Sequence, residues 1–212
     1  DSNHIFTFAE GVGGRYSLWS SVGLSIMIAI GSANFSEMLA GAYAMDCHIQ
    51  HAELEQNIGV IMGLLRIWHR NFLQRPVYGL IPYEQRLAML PDWAQQLEME
   101  SNGKQIRQDG NRVTTQTSPV VLGGTGTDAQ HSFFQLLHQG TAEFCTDIIY
   151  SSSASSPLSS AQAIGQASLL SSNSQRSGNL LEQTKSNSPV NLFHLNKLSL
   201  SALGFLLATW EH

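Results

Sequence analysis

The sequence predicts an α/β protein, a three-layer αβα sandwich in which helices cover both faces of a parallel sheet. Short apolar or β-branched segments alternate with segments whose apolar residues recur at helical spacing. The first predicted strand is joined to the first helix by the glycine-rich turn GVGG, which is how an α/β unit opens. With 212 residues, 42% of them hydrophobic, the chain can bury the core of one large domain or of two small ones, and we expect one domain.

The first half of the chain contains more predicted helix than strand. β-branched and aromatic residues predict a short strand at His4–Glu10, and an apolar run predicts a buried helix at Ser17–Ile30. Two further helices are predicted over residues 33–50 and 54–72, where large apolar residues recur every three or four positions: Phe35, Met38, Leu39, Tyr43, Ile58, Ile61, Leu64, Leu65 and Trp68. A strand at Val77–Ile81 and a helix at Tyr83–Met99, disturbed by Pro91, follow.

The second half continues the alternation of strand and helix. The predicted elements are a strand at Pro119–Leu122, a helix at His131–Gln139, strands at Asp147–Tyr150 and Val190–Leu195, and an apolar helix at Leu198–Trp210. Between these elements the composition changes abruptly over residues 151–188, which are rich in serine and almost without charge. This segment is compatible with loop, weak helix or partial disorder.

Composition and charge exclude several classes of function. Charged residues make up 13% of the chain and the net charge is −5, so there is no basic surface to neutralise a polynucleotide. Cys47 and Cys145 lie far apart, as in a reducing compartment, and residues 1–8 lack the features of a secretion signal. The most apolar later stretch, Val22–Ile30, is too short to span a membrane. We therefore expect a cytoplasmic protein, and the missing initial methionine indicates a piece of a longer chain.

Three stretches contain residues suited to catalysis. In GVGGRYS, Arg15 follows a tight turn just before a helix and is suited to face an anion. In QQLEMESNGK, Gln96 and Glu100 are four residues apart and share a helix face, where the helix dipole disfavours the Glu100 carboxylate. In GTGTDAQH, His131 follows a Gly/Thr loop and is suited to exchange protons near neutral pH.

Each of these residues also has a purely structural interpretation. Arg15 alone reads as a surface residue, Glu100 as a solvated carboxylate before a turn, and His131 or His138 as a histidine at the edge of the core. A metal site is not predicted, because CHIQH at residues 47–51 has no second pair of ligands at a matching spacing. No GxSxG motif marks a nucleophilic serine.

Taken together, VGGRYSLWSSVGLS, QQLEMESNGK, GTDAQHSFFQLLHQGT and the final KLSLSALGFLLATWEH resemble the glucose-6-phosphate isomerase family. The resemblance runs from Phe6 to His212 and is poorest over residues 151–188. It implies a family fold of two sugar-isomerase domains, of which this chain resembles the second, at residues 31–212, preceded by a linker strand and helix at residues 1–30. It also implies a cytoplasmic homodimer with its active site at the interface, and no metal or organic cofactor.

The same resemblance implies a role for each candidate residue. Glu100 is the catalytic base, Gln96 lines the substrate, and Arg15 both binds the substrate and stabilises the charged intermediate. His131 assists ring opening and reaches the site from the partner subunit. The expected reaction is the interconversion of glucose 6-phosphate and fructose 6-phosphate through an enediolate, in glycolysis and gluconeogenesis.

The sequence also departs from the family pattern. The family usually reads GEPGTNGQH where residues 123–131 read GGTGTDAQH, and GNRPTNS where residues 185–192 read KSNSPVNL. The family's phosphate-binding loop and its catalytic lysine lie outside the segment that this chain matches. We therefore expect the isolated chain to be inactive, or nearly so. The alternative function is a non-catalytic domain of this fold that binds sugar phosphates.

Overall fold

The computed structural model describes residues 4–153, 157–172, 183–184 and 187–212, which form two compact units. The first unit comprises residues 1–63 and 198–212, and the second comprises residues 64–197. Both cysteines are free thiols. Within the described ranges, no helix combines the length and the apolar character needed to cross a bilayer.

The first unit is built from helices. Its elements are two 3₁₀ turns at Gly14–Trp19 and Ser21–Gly23, helix α1 at Leu24–Ile30, helix α2 at Ser32–His51, the start of helix α3 at Ile58–Ile67, and the last helix of the chain at Leu200–Glu211. This last helix packs on α2, and Ala42, Met45 and Ala208 are buried between them. Gly41 and Gly204 permit this close approach, since each lies directly against backbone of the opposite helix.

The second unit is an α/β sandwich around a parallel sheet of four strands. In chain order its strands are β1 at Val77–Pro82, β2 at Val120–Gly123, β3 at Phe144–Ser151 and β4 at Val190–Leu195, and their order in the sheet is β2-β1-β3-β4. Its helices, with the last helix of the chain numbered α8, are α4 at Leu90–Gln95, α5 at Gly126–Ala129, α6 at Phe134–Gln139 and α7 at Pro157–Ser171.

Helices cover both faces of this sheet, which confirms the predicted fold class. On one face, Ile81 of β1 and Phe144 and Ile148 of β3 pack against buried residues of α6 and α7. On the other face, Tyr78 and Asp147 contact Arg66 from the end of α3. Strands buried on both sides are mostly apolar along their length, as β1 is, and β3 is apolar apart from Thr146, Asp147 and Ser151.

Most predicted elements are confirmed, but the prediction of an amino-terminal strand at His4–Glu10 is wrong. Residues 5–9 of the described chain form no strand, and Ile5, Phe6 and Phe8 are exposed. A β-prone segment without a neighbouring strand has no partner for its backbone groups. The predicted helix at Ser17–Ile30 becomes two 3₁₀ turns followed by α1, and no residue of α1 is buried.

Three boundaries also differ from the prediction. Pro91 stands at the start of α4, where its missing N–H costs no hydrogen bond, and the chain from Tyr83 reaches that helix through a 3₁₀ turn. His131 lies in a turn, so that α6 starts at Phe134. The helix predicted over residues 54–72 is confirmed, but it begins later, since α3 starts at Ile58 and continues into a π-helical turn at Trp68–Phe72. Leu64 and Trp68 are exposed.

Part of the serine-rich segment is helical. Residues 157–171 form α7, whose Ala163 and Leu170 are buried against the sheet. Small and apolar side chains at helical spacing therefore allow this segment to form a helix, in spite of the many serines around them. The rest of the predicted variable segment falls partly outside the described residues.

Candidate active site

Helix α4 places Glu100 at the edge of the sheet where β2 begins. Gly123, at the end of β2, lies directly against Pro91 at the start of α4. Further along, the side-chain amide of Gln95 donates to the carbonyl oxygen of Val121 at 3.2 Å, and the N–H of Val121 lies 3.5 Å from Met99 Sδ. The helix thus runs antiparallel to β2, and its last residues return to the amino end of the strand.

Glu100 is the last residue of a π-helical turn, Gln96–Glu100, that continues α4. Its carboxylate is exposed, and Gln96 Nε2 donates to Glu100 Oε2 at 3.0 Å. This contact confirms that the two side chains share a face, as their spacing predicts. π-helical turns are rare and occur frequently at functional sites.

Lys104 stabilises the helix end that carries the Glu100 carboxylate. Its ammonium group donates to the carbonyl oxygens of Glu100 and Ser101, at 2.6 and 2.7 Å. A cation at the C-terminal end of a helix offsets the negative end of the dipole and satisfies carbonyl groups that have no partner within the helix. Lys104 is not among the residues predicted from the sequence, although its spacing of four from Glu100 is a usable signal.

His131 lies beyond the carboxyl end of β2, at the opposite end of the strand from Glu100. It follows β2 and α5, and its backbone N–H donates to the carbonyl oxygen of Asp128 at 3.1 Å. Gly126 of α5 lies directly against the ring of Tyr83, just beyond the end of β1. The His131 side chain is exposed. Glu100 and His131 are therefore separated by the length of β2, whose four residues span about 13 Å.

A chain of amide and imidazole groups, centred on the buried Gln166, holds the turn that carries His131. Gln130 Nε2 donates to Gln166 Oε1 at 3.2 Å, and Gln166 Nε2 lies 2.8 Å from His138 Nε2. Burial lowers the pKa of His138, while its hydrogen bond to Gln166 acts in the opposite direction. His138 is thus the core-edge histidine that the sequence suggests.

Arg15 lies in the first unit, on the 3₁₀ turn Gly14–Trp19, with its side chain half-buried. The turn is held by Ser17, whose hydroxyl donates to the carbonyl oxygen of Gly14 at 2.6 Å. Nearby in the same unit, Trp19 Nε1 donates to Glu211 Oε2 at 2.7 Å beside a cavity of about 390 Å³. Burial raises the pKa of the Glu211 carboxyl.

A second charged cluster lies on the inner side of the π-helical turn. Arg66 Nη1 is 2.9 Å from Glu98 Oε1, and Arg66 Nη2 donates to Asp147 Oδ2 at 3.3 Å. Burial raises the pKa of Glu98, which Arg66 opposes. In the sequence, this cluster is indicated only by Asp147, a carboxylate inside an otherwise largely apolar strand, because a buried charge requires a partner.

No site for a metal ion emerges from the described residues. Within the described part of the chain, no three side chains of His, Cys, Asp or Glu come together in a group that could hold one. His48 of the CHIQH segment instead accepts a hydrogen bond from the backbone N–H of Ile58.

Comparison with known proteins identifies similar sequences and structures along the whole chain. Residues 1–212 match the profile of a family described as phosphoglucose isomerase. Glucose-6-phosphate isomerase 1 of Thiobacillus denitrificans is 40% identical over 236 aligned positions, which cover 100% of this chain and 43% of that protein. The glucose-6-phosphate isomerase of Xanthobacter autotrophicus is 56% identical over 140 residues, 66% of this chain and 26% of that protein.

A solved structure matches the fold as well. The crystal structure of a glucose-6-phosphate isomerase from Chlamydia trachomatis superposes with a TM-score of 0.90 at 34% sequence identity. The match covers 100% of this chain and 44% of that one. The chain thus spans less than half the length of these relatives.

Proposed function

Because the chain belongs to the phosphoglucose isomerase family, we propose that it is part of an enzyme that interconverts glucose 6-phosphate and fructose 6-phosphate. Such an enzyme acts in glycolysis and gluconeogenesis, in the cytoplasm. The chain corresponds to the second sugar-isomerase domain, residues 31–212, with residues 1–30 as a linker. Because less than half of its relatives' length is present, the isolated chain lacks most of the isomerase activity.

Glu100 is the base of the reaction. Converting an aldose to a ketose moves a proton from C2 to C1, and one carboxylate that is ionised at neutral pH can remove it and return it. The observation that carries the proposal is the exposed Glu100 carboxylate, oriented by Gln96 and placed at the end of a π-helical turn. Gln96, beside it, lines the substrate.

Arg15 and His131 supply the two other functions that the chemistry requires. The intermediate is an enediolate, so a fixed cation beside its oxygens lowers the barrier, and a guanidinium cannot lose its proton in doing so. The sugar arrives as a closed ring, and a histidine, whose imidazole can both donate and accept a proton, is suited to open it. Arg15 has the first role and His131 the second.

The active site contains residues of two subunits. Within the second unit, Glu100 and His131 lie near opposite ends of β2, whose four residues span about 13 Å. In a symmetric homodimer, the partner's copy of His131 enters the site that holds Glu100. The wide separation of the two residues within one chain supports this arrangement.

The test is the exchange of the C2 hydrogen of glucose 6-phosphate with solvent, measured by NMR in deuterium oxide with the full-length protein. Glu100→Gln keeps the side-chain size but removes the base, so we expect exchange and isomerisation to fall by at least about 1000-fold. Glu55→Gln, at an exposed position of a 3₁₀ turn, is the matched control and keeps the wild-type rate. Wild-type exchange in Glu100→Gln would exclude Glu100 as the base.

A further inference from the structure

A buried ionic network connects the turn that carries Glu100 to the centre of the sheet. Arg66 lies between two carboxylates, with Nη1 2.9 Å from Glu98 Oε1 and Nη2 3.3 Å from Asp147 Oδ2. The three side chains are 18%, 16% and 2% exposed, in that order. A single guanidinium therefore joins the π-helical turn Gln96–Glu100 to strand β3.

The Asp147 end of this network is itself fixed. The hydroxyl of Tyr78 donates to Asp147 Oδ2 at 2.9 Å, and Asn191 Nδ2 donates to Asp147 Oδ1 at 2.8 Å. The guanidinium carbon of Arg66 lies 3.3 Å from the centre of the Tyr78 ring. Tyr78 belongs to β1 and Asn191 to β4, so the two strands that flank β3 hold the carboxylate that holds Arg66.

Glu98 and Glu100 point to different sides of the same turn. Residues two apart are rotated by roughly 200° about the axis of an α-helix and by roughly 160° about that of a π-helix. Glu98 faces the sheet, where Arg66 holds it, and Glu100 faces solvent beside Gln96. Fixing the inner carboxylate therefore fixes the rotation of the turn, and with it the direction of the outer carboxylate.

We propose that Arg66 and Glu98 are positioning residues for the Glu100 base. The turn needs such a support, because the i→i+5 hydrogen bonds of a π helix are confined to a single turn here and Glu100 itself is exposed. A displaced base is costly, since a shift of about 1 Å lowers a rate by on the order of 100-fold. In this role Arg66 and Glu98 act through the position of Glu100 and not on the reacting atoms.

This proposal depends on the proposed isomerase function, and two variants of the full-length protein test it. Glu98→Met keeps the length of the side chain but removes the carboxylate that forms the ion pair with Arg66, while Arg66 and Asp147 remain paired. Glu98→Gln keeps an oxygen acceptor and is the matched control. We expect Glu98→Met to lower kcat on the order of 10-fold to 100-fold, with KM changed by less than about threefold. Glu98→Gln stays within about threefold of wild type in both constants.

The kinetic isotope effect separates a displaced base from a loss of folded protein. With substrate deuterated at C2, we expect a larger isotope effect on kcat in Glu98→Met than in wild type, because proton abstraction has become slower relative to the other steps. A lower fraction of folded enzyme would leave this ratio unchanged. Arg66→Lys, which keeps the charge but not the forked geometry, should lower kcat and raise the isotope effect as well.

The possible outcomes separate this proposal from the proposed function. If wild-type full-length protein does not isomerise glucose 6-phosphate, the function fails. If wild type is active but Glu98→Met keeps its kcat, or its isotope effect does not rise, the positioning role is wrong and the function stands. Equal losses in Glu98→Met and Glu98→Gln would also overturn the positioning role, because the retained acceptor would then have no effect.

Discussion

Single residues in this chain are explained by the charges and amides that face them. The helix dipole disfavours Glu100 at the end of its turn, and Lys104 offsets this cost by donating to the last carbonyl oxygens. Asp147, inside an apolar strand, is retained because Tyr78, Asn191 and Arg66 satisfy its carboxylate. The unusual positions of Glu100 and Asp147 can be recognised in the sequence. The partners of Asp147 come from distant segments, and a single sequence does not show that these segments meet.

His138 should make the stability of the protein depend on pH. Burial lowers its pKa, so the unfolded chain binds a proton at a higher pH than the folded chain does. The stabilisation is therefore complete above the unfolded pKa of about 6.5 and is lost as the pH falls below it. We expect the free energy of unfolding to fall less steeply between about pH 7 and pH 5 in His138→Gln than in wild type.

Denaturant titrations at several pH values would measure this difference. The matched control is Gln135→Ala in the same helix, because Gln135 is exposed and has no titratable group, and this variant should keep the wild-type slope. His69, whose pKa is also lowered by burial, retains part of the dependence in every variant. An identical slope in His138→Gln and wild type would contradict the assignment.

At the scale of elements, apolar pattern predicts the strands and long helices well but not their ends. Strands β1, β2, β3 and β4 and helices α2 and α8 lie where the sequence places them, because their apolar residues occur in short runs or recur at helical spacing. The failures are local. Residues 5–9 form no strand because the residues that would pair with them are not specified locally, and Pro91 begins a helix because tertiary packing sets where α4 starts.

The contact between α2 and α8 depends on glycine. A Cβ atom at Gly204 would lie 1.9 Å from the carbonyl oxygen of Met38, which is backbone and cannot move without separating the helices. We expect Gly204→Ala to lower the free energy of unfolding of the isolated chain by about 1–3 kcal/mol or more, as overpacking does. Urea titration followed by circular dichroism would measure it.

The control for this variant is Gly63→Ala in helix α3 of the same unit. A Cβ atom there meets nothing within 4 Å, so the substitution removes only the conformational freedom of glycine. It should raise the free energy of unfolding by about 0.5–1 kcal/mol. If both variants shift stability in the same direction and by the same amount, backbone propensity explains the data and close packing of α2 on α8 does not.

At the scale of the whole molecule, the sheet separates the residues that the chemistry must bring together. Helix α4 runs antiparallel to β2 and places Glu100 near the amino end of this strand. The loop after β2 places His131 beyond its carboxyl end. The spacing of Gln96 and Glu100 could be predicted from the sequence because it is local. The distance from Glu100 to His131 could not, because it depends on the direction of α4 along the sheet.

The most direct test of this account is complementation between two inactive variants of the full-length protein, Glu100→Gln and His131→Asn. If each site combines Glu100 of one subunit with His131 of the other, a dimer formed from one subunit of each variant contains one site with both native residues. After unfolding and refolding an equimolar mixture, we expect about a quarter of wild-type isomerase activity, since half of the dimers are mixed. Activity no higher than that of the separate variants would show that the two residues act within one subunit or not at all.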